Sequence, residues 1–290
     1  MRSDFYEMEL VGTDFMLVGV PVDAPAEVKK RLVGAIVSYH MNLASVDYTI
    51  KRYIDPWQAR QISEEEQRLV GTLRSIAERV DALVSALANS TPHEGAPGVV
   101  AAEAALLRLK ATFQAALFLV AQAKSFEAAA MVRLIVEQSA WAFAVRSLAT
   151  EGAIRNTSPT AAVSLLRDVA PFAGRLYGFL SGQAHLDPGA TRHYVTRNEK
   201  GAVEIYLRHT RSTQIILGYL LATLGLYRTI VLQVGGAYVA EKPESGASET
   251  HRTTSERLSD ALEDLRRKYG ELGWLPNNPL HPNARKRALG

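Results

Sequence analysis

The stretch Phe126–Ala149, FEAAAMVRLIVEQSAWAFAVRSLA, decides the fold. Wound as a helix it carries apolar residues on every side, the mark of a helix buried in a core. Arg133 and Glu137 sit inside this run, four residues apart and therefore on one face. Long charged side chains are rarely buried unless they are paired. Each of the two is expected to have a partner, and their surroundings are the first place to look for function.

Moving toward the C-terminus, Phe172–His185 reads as a second helix, closed by Asp187-Pro188-Gly189. Gly174, Gly178 and Gly182 recur along it at every fourth position. A glycine in a helix interior costs about 1 kcal/mol against alanine, so this ridge implies a neighbouring backbone passing close. The central helix offers an alanine-rich face, with Ala129, Ala130, Ala140 and Ala144 around Arg133 and Glu137. The two helices are expected to pack through these surfaces. Tyr177, Ser181 and His185 form a polar stripe beside the glycines, and that stripe is expected to face Arg133 and Glu137.

Beyond it the period changes. Tyr194–Arg197 and Ala202–Arg208 flank Asn198-Glu199-Lys200-Gly201, with Val203, Ile205 and Leu207 alternating with polar residues. This predicts a β-hairpin at about 194–208. Thr210 or Ser212 then starts a long core helix that Gly235-Gly236 ends. Within it, Gln214–Val234 has the length of a membrane span, but Arg228 interrupts it, at roughly 2.5 kcal/mol or more near a bilayer centre. A core helix is expected there, and no membrane.

Toward the N-terminus, Val99–Ala123 is alanine- and leucine-rich and helical, with Ser125 available to cap the central helix after it. The central helix itself is expected to fade at Thr150-Glu151-Gly152. Ser90–Gly98, STPHEGAPG, is turn-rich and marks an expected internal boundary. Ser63-Glu64-Glu65-Glu66 is a capping box. It opens an amphipathic helix with Leu69, Leu73, Ile76, Val80, Leu83, Val84 and Leu87 on one side. Ala26–Ile54 has Val28, Leu32, Ile36, Tyr39 and Leu43 at helical spacing, and Asp55-Pro56 should stop it. Leu10–Val22 is apolar and broken by Gly12, Gly19 and Pro21, which suggests an extended arm. After the long helix, Glu241–Glu249 reads as a mobile polar linker. Thr253-Thr254-Ser255-Glu256 is a second capping box, opening a helix with Leu258, Leu262, Leu265 and Tyr269. The expected architecture is an all-α bundle with one inserted β-hairpin. An arm (1–25) leads to a bundle (26–240, core 99–234, N-terminal helices 26–89), followed by a linker, short helix and basic tail (241–290).

The 290 residues are 47% hydrophobic and 22% charged, with a net charge of +3, the balance of a soluble globular protein. There is no cysteine, which excludes disulfides, thiolate metal sites and a cysteine nucleophile. The N-terminus MRSDFYEMEL has acids where an export signal needs an apolar run, so a cytoplasmic protein is expected. Phosphate-binding and dinucleotide-binding glycine loops and a Gly-x-Ser-x-Gly elbow are absent, and no cofactor is expected.

His185, with Glu137 to orient it, has the residue types for general acid–base work, so these two are the catalytic candidates. Arg192 and His193 follow in sequence, with Arg197, Arg208 and His209 beyond. Together with Arg133, Glu137, Tyr177, Ser181 and His185 they outline a positive mouth suited to an anionic small molecule or RNA. A metal held by Glu137, His185 and His193 lacks any ligand spacing, and none is expected. A purely structural reading stays open beside these, in which Arg133 and Glu137 neutralise each other and hold two helices together.

Arg133-x-x-x-Glu137, followed some forty residues later by Tyr177-x-x-Leu180-Ser181-x-x-x-His185, resembles an uncharacterised family of bacterial all-helical proteins over about Val99–Val234. The resemblance implies a helical fold and a place to look, and no activity. The chain is also loosely similar to helical domains of nucleotide-binding and ribonuclease type from bacterial defence systems. Those ribonucleases use an arginine followed by four to six residues and a histidine, and no arginine here stands at that distance before any of the seven histidines. Three functions follow as expectations. The first is a ligand-binding or protein-interaction module in a defence or stress pathway. The second is a phosphodiester hydrolase using His185 and Arg133. The third is a structural homo-oligomer joined through the Ser63–Asn89 helix.

Overall fold

A computed structural model describes residues 8–13, 15–21, 23–59, 62–90, 97–184, 195–197, 201–205, 213–241 and 246–271. The chain folds as two compact units, residues 1–61 and 62–290. It is all-α apart from short hairpins, as the sequence predicts.

In the first unit, strands β1 (Met8–Gly12) and β2 (Leu17–Pro21) pair antiparallel, with Glu9 opposite Val20 and Val11 opposite Val18. The expected arm is thus a hairpin: Gly12 and Gly19 sit inside the strands instead of breaking them. Helix α1 (Ala26–His40) follows. It ends at Met41-Asn42, with Asn42 in the left-handed region at φ 51°. Ser45 then caps α2 (Val46–Thr49), so the expected single helix to Ile54 is broken in the middle. A π-helical turn, Ile50–Ile54, carries the chain into α3 (Asp55–Ala59). Asp55-Pro56 opens α3 instead of stopping a helix. Proline has no N–H to give and its ring crowds the preceding turn, and a widened turn just before it accommodates both.

The core of this unit is Val11, Val20, Val33, Val37, Ile50, Ile54 and Trp57. Three residues of the apolar stripe read along this segment point outward, Val28, Leu32 and Tyr39 at 55%, 45% and 83% exposure, while Ile36 and Leu43 are half-buried. Gly34 decides the inner face instead. A Cβ there would lie 2.8 Å from Ile50 Cγ1, so α1 docks through its side-chain-free position.

The second unit is a helical bundle. Its main helices are α4 (Glu64–Ser90), α5 (Pro97–Ala121) and α6 (Ser125–Val145). Between α6 and α9 (Ala173–Ala184) lie α7 (Glu151–Arg155), α8 (Pro159–Ala162) and a 3₁₀ turn, Val163–Asp168. The long helices α10 (Thr213–Glu241) and α11 (Gly246–Glu271) complete it. Strands β3 (Val195–Arg197) and β4 (Val203–Ile205) form the inserted hairpin within the expected range, with Thr196 opposite Glu204.

The capping box at Ser63 forms as read. The Glu66 backbone N–H donates to Ser63 Oγ at 3.2 Å, and the Ser63 N–H donates to Glu66 Oε2 at 2.7 Å. The α4 stripe from Leu69 to Val84 is buried against α5 and α10. Because one core runs from Ile62 to Tyr269, residues 90–98 do not divide the chain. Central α6 packs on α5, α10, α8 and α9.

Several local expectations are corrected. Ser125 is the first residue of α6 and does not cap it; its buried hydroxyl lies 3.5 Å from Thr213 Oγ1 on α10. Helix α6 ends at Val145, and Thr150 caps the separate α7 by accepting from the Ala153 N–H. Helix α10 continues through Gly235-Gly236, since glycine permits a helix end without imposing one. The second capping box lies inside α11, which is 26 residues long; Thr, Ser and Glu are tolerated within a helix as well as at its start. Its Leu258, Leu262 and Tyr269 are buried, and Lys268 and Tyr269 both reach Glu65 on α4.

Among the described residues three helices, not one, are long and apolar enough to cross a membrane: α5, α6 and the Thr213–Gly235 part of α10. Arg228 on α10 is half-buried. Burial first and then neighbouring Arg266 lower its affinity for its proton, against Asp260.

Candidate functional site

Arg133 and Glu137 find the partner the sequence predicts. Helix α6 buries Ala129, Val132, Ile135, Val136 and Ala140 around them, while α9 buries Ala173, Leu176 and Leu180. Packing these apolar faces brings Tyr177 over the pair. Tyr177 Oη donates to Glu137 Oε1 at 2.7 Å, and Arg133 Nη2 lies 3.0 Å from both Tyr177 Oη and Glu137 Oε1. The guanidinium also stands 5.2 Å from the Tyr177 ring centre, within cation–π range. The side chains of Arg133 and Glu137 are 21% and 16% exposed, so the network is mostly but not wholly removed from water. Burial opposes the charge on Arg133. The Tyr177 hydrogen bond and the Glu137 carboxylate more than offset it, and its pKa rises.

Ser181 lies one turn beyond Tyr177. Its Oγ is buried and has no hydrogen-bond partner among the described residues. His185, Arg192 and His193 lie outside the described residues. The structure therefore brings together Arg133, Glu137 and Tyr177, with Ser181 adjacent on α9. Among the described residues, no three His, Asp or Glu side chains gather where they could hold a metal ion.

The glycine ridge does not do what its spacing suggests. A Cβ at Gly174, Gly178 or Gly182 would meet nothing within 4 Å. The three glycines flank the polar stripe on the side away from α6, and the contact between the helices runs through leucine and alanine.

One carboxylate oxygen accepts from both the guanidinium and the phenol, so the positive charge of Arg133 is met inside the protein. Two further tethers escape a reading of the sequence. Trp141 Nε1 donates to Thr157 O at 3.0 Å, tying α6 to the approach to α8. A second polar cluster, Asp81 with Tyr227 and Leu106, lies in the bundle core. Its one sequence signal is an aspartate set between Val80 and Leu83 in the apolar stripe of α4. Compared with protein-family models, curated proteins and solved structures, the chain has no match.

Proposed function

We propose that the chain works by binding and not by catalysis, as a helical-bundle interaction module in which the Arg133–Tyr177–Glu137 network orders α9 on α6. The observation that carries this reading is the double use of Glu137 Oε1, which leaves the arginine compensated and the three groups serving one another. A largely buried ion pair bridged by a phenol in this way specifies packing more than it stabilises it. The outward apolar stripe of α1 supports an interaction role, because exposed apolar patches mark contact surfaces. Membership of the uncharacterised bacterial all-helical family, and a defence or stress setting, belong to the same proposal.

The proposal has the chain working in the cytoplasm. In support, α4 lies against α5 and α10 and carries exposed Arg68, Arg74, Glu78 and Arg79 along its outer side, where lipid would otherwise be needed.

The test replaces the ion pair with apolar residues of similar length, Arg133→Met with Glu137→Leu, so that no lone charge is left behind. Wild type and variant are then titrated with a nucleotide panel and short RNA. The two are expected to behave alike. Binding by wild type that the folded variant loses would make the cluster an anion site and overturn the reading.

A further inference from the structure

The junction of α4, α5 and α10 holds a carboxyl group that the interaction reading does not use. Asp81 on α4 is buried, at 7% exposure, and Tyr227 on α10 is completely enclosed, its ring 5.3 Å from that of Phe113. Tyr227 Oη lies 3.0 Å from Asp81 Oδ1 and 3.0 Å from the Leu106 carbonyl of α5. A phenol has one proton. If Asp81 is ionised, both neighbours of the phenol are acceptors competing for that proton, and one of two short oxygen–oxygen contacts has no hydrogen in it. A proton on Asp81 completes the chain: carboxyl O–H to Tyr227 Oη, and Tyr227 O–H to Leu106 O.

We propose that Asp81 keeps its proton to higher pH in the folded protein than in the unfolded chain, and that its deprotonation releases Tyr227 from Leu106, making this three-helix junction a pH-sensitive clamp. Among the described residues two charged groups act on Asp81. Lys110 on α5 favours the ionised form and Glu78 on α4 opposes it. Helix α11 also packs on α4, and the polar contacts there from Lys268 and Tyr269 are to Glu65, four turns of helix from Asp81. Burial is the largest influence and raises the Asp81 pKa above its ordinary value, against the Tyr227 hydrogen bond and Lys110. Burial likewise raises the Tyr227 phenol, which keeps it a donor.

The folded state then retains a proton that the unfolded chain gives up near the ordinary aspartate value of about 3.9. Stability is greatest below that value and falls as pH rises through the higher folded value. The test is a carboxyl-carbon NMR titration of Asp81 in the intact chain, with urea unfolding against pH for wild type, Asp81→Asn and Tyr227→Phe. Asparagine can donate to Tyr227 Oη as the neutral acid does, so Asp81→Asn should abolish this fall in urea midpoint. The Asp81 carbon should titrate above about 3.9, and higher again in Tyr227→Phe, which removes the hydrogen bond that favours the ionised form. An Asp81 carbon that titrates at or below the ordinary value in wild type overturns the proposal, whether or not either variant folds.

Discussion

Gly98→Ala should destabilise the second unit by about 3 kcal/mol, at the upper end of what overpacking a tight site costs. A Cβ at Gly98 would lie 2.2 Å from Val145 O and 2.5 Å from Leu148 O, both backbone atoms at the end of α6. Backbone cannot swing aside as a flexible side chain can. The first turn of α5 would have to lift away, taking with it the Gly98 N–H bond to Leu148 O, 3.1 Å in the native chain. Because α5 and α6 pack along their length, the strain falls on the core and not on a free end. Urea unfolding measures the loss, and a change under 1 kcal/mol would mean that the two helices do not meet this closely.

Glu137→Ala should cost about 2 kcal/mol. Breaking a fully buried ion pair costs about 3–5 kcal/mol because the surviving charge is stranded, and the partial exposure of Arg133 and Glu137 reduces that figure. The loss is double at the level of contacts, since Arg133 and Tyr177 share the same carboxylate oxygen. Replacing both charges together should cost less than Glu137→Ala alone, because nothing charged is left unpaired. Thermal or urea unfolding of the single and paired variants checks the order. A single variant as stable as wild type would show that the network does not hold α9.

The sequence makes the bundle legible where one periodicity has one face to bury. The α4 stripe from Leu69 to Val84, the Ser63–Glu66 cap and the α11 stripe are of this kind. It misleads where two faces compete. Helix α1 has an apolar stripe at Val28, Leu32 and Tyr39, yet it docks through Val33, Gly34 and Val37, and only tertiary contact with Ile50 shows that Gly34 is the docking point. The candidate site divides along the same line. Arg133 and Glu137 announce themselves as charges in an apolar helix, and Tyr177 follows from its spacing on α9. The glycine ridge is visible in sequence but points away from α6, because spacing fixes which residues share a face and not which face is buried. Asp81 and Tyr227, 146 positions apart, are joined only by the packing of α4 on α10.

The network clamps α9 to α6, and Tyr177→Phe removes its hydrogen-bond link between the two helices while leaving the ion pair in α6. Hydrogen exchange of the α9 amides, read by mass spectrometry in wild type and Tyr177→Phe, tests it most directly. A hydrogen bond to a charged group contributes about 1.5–3 kcal/mol, so α9 exchange should speed up by about tenfold or more while α5 and α10 keep their protection. Unchanged α9 protection in the variant would contradict the account.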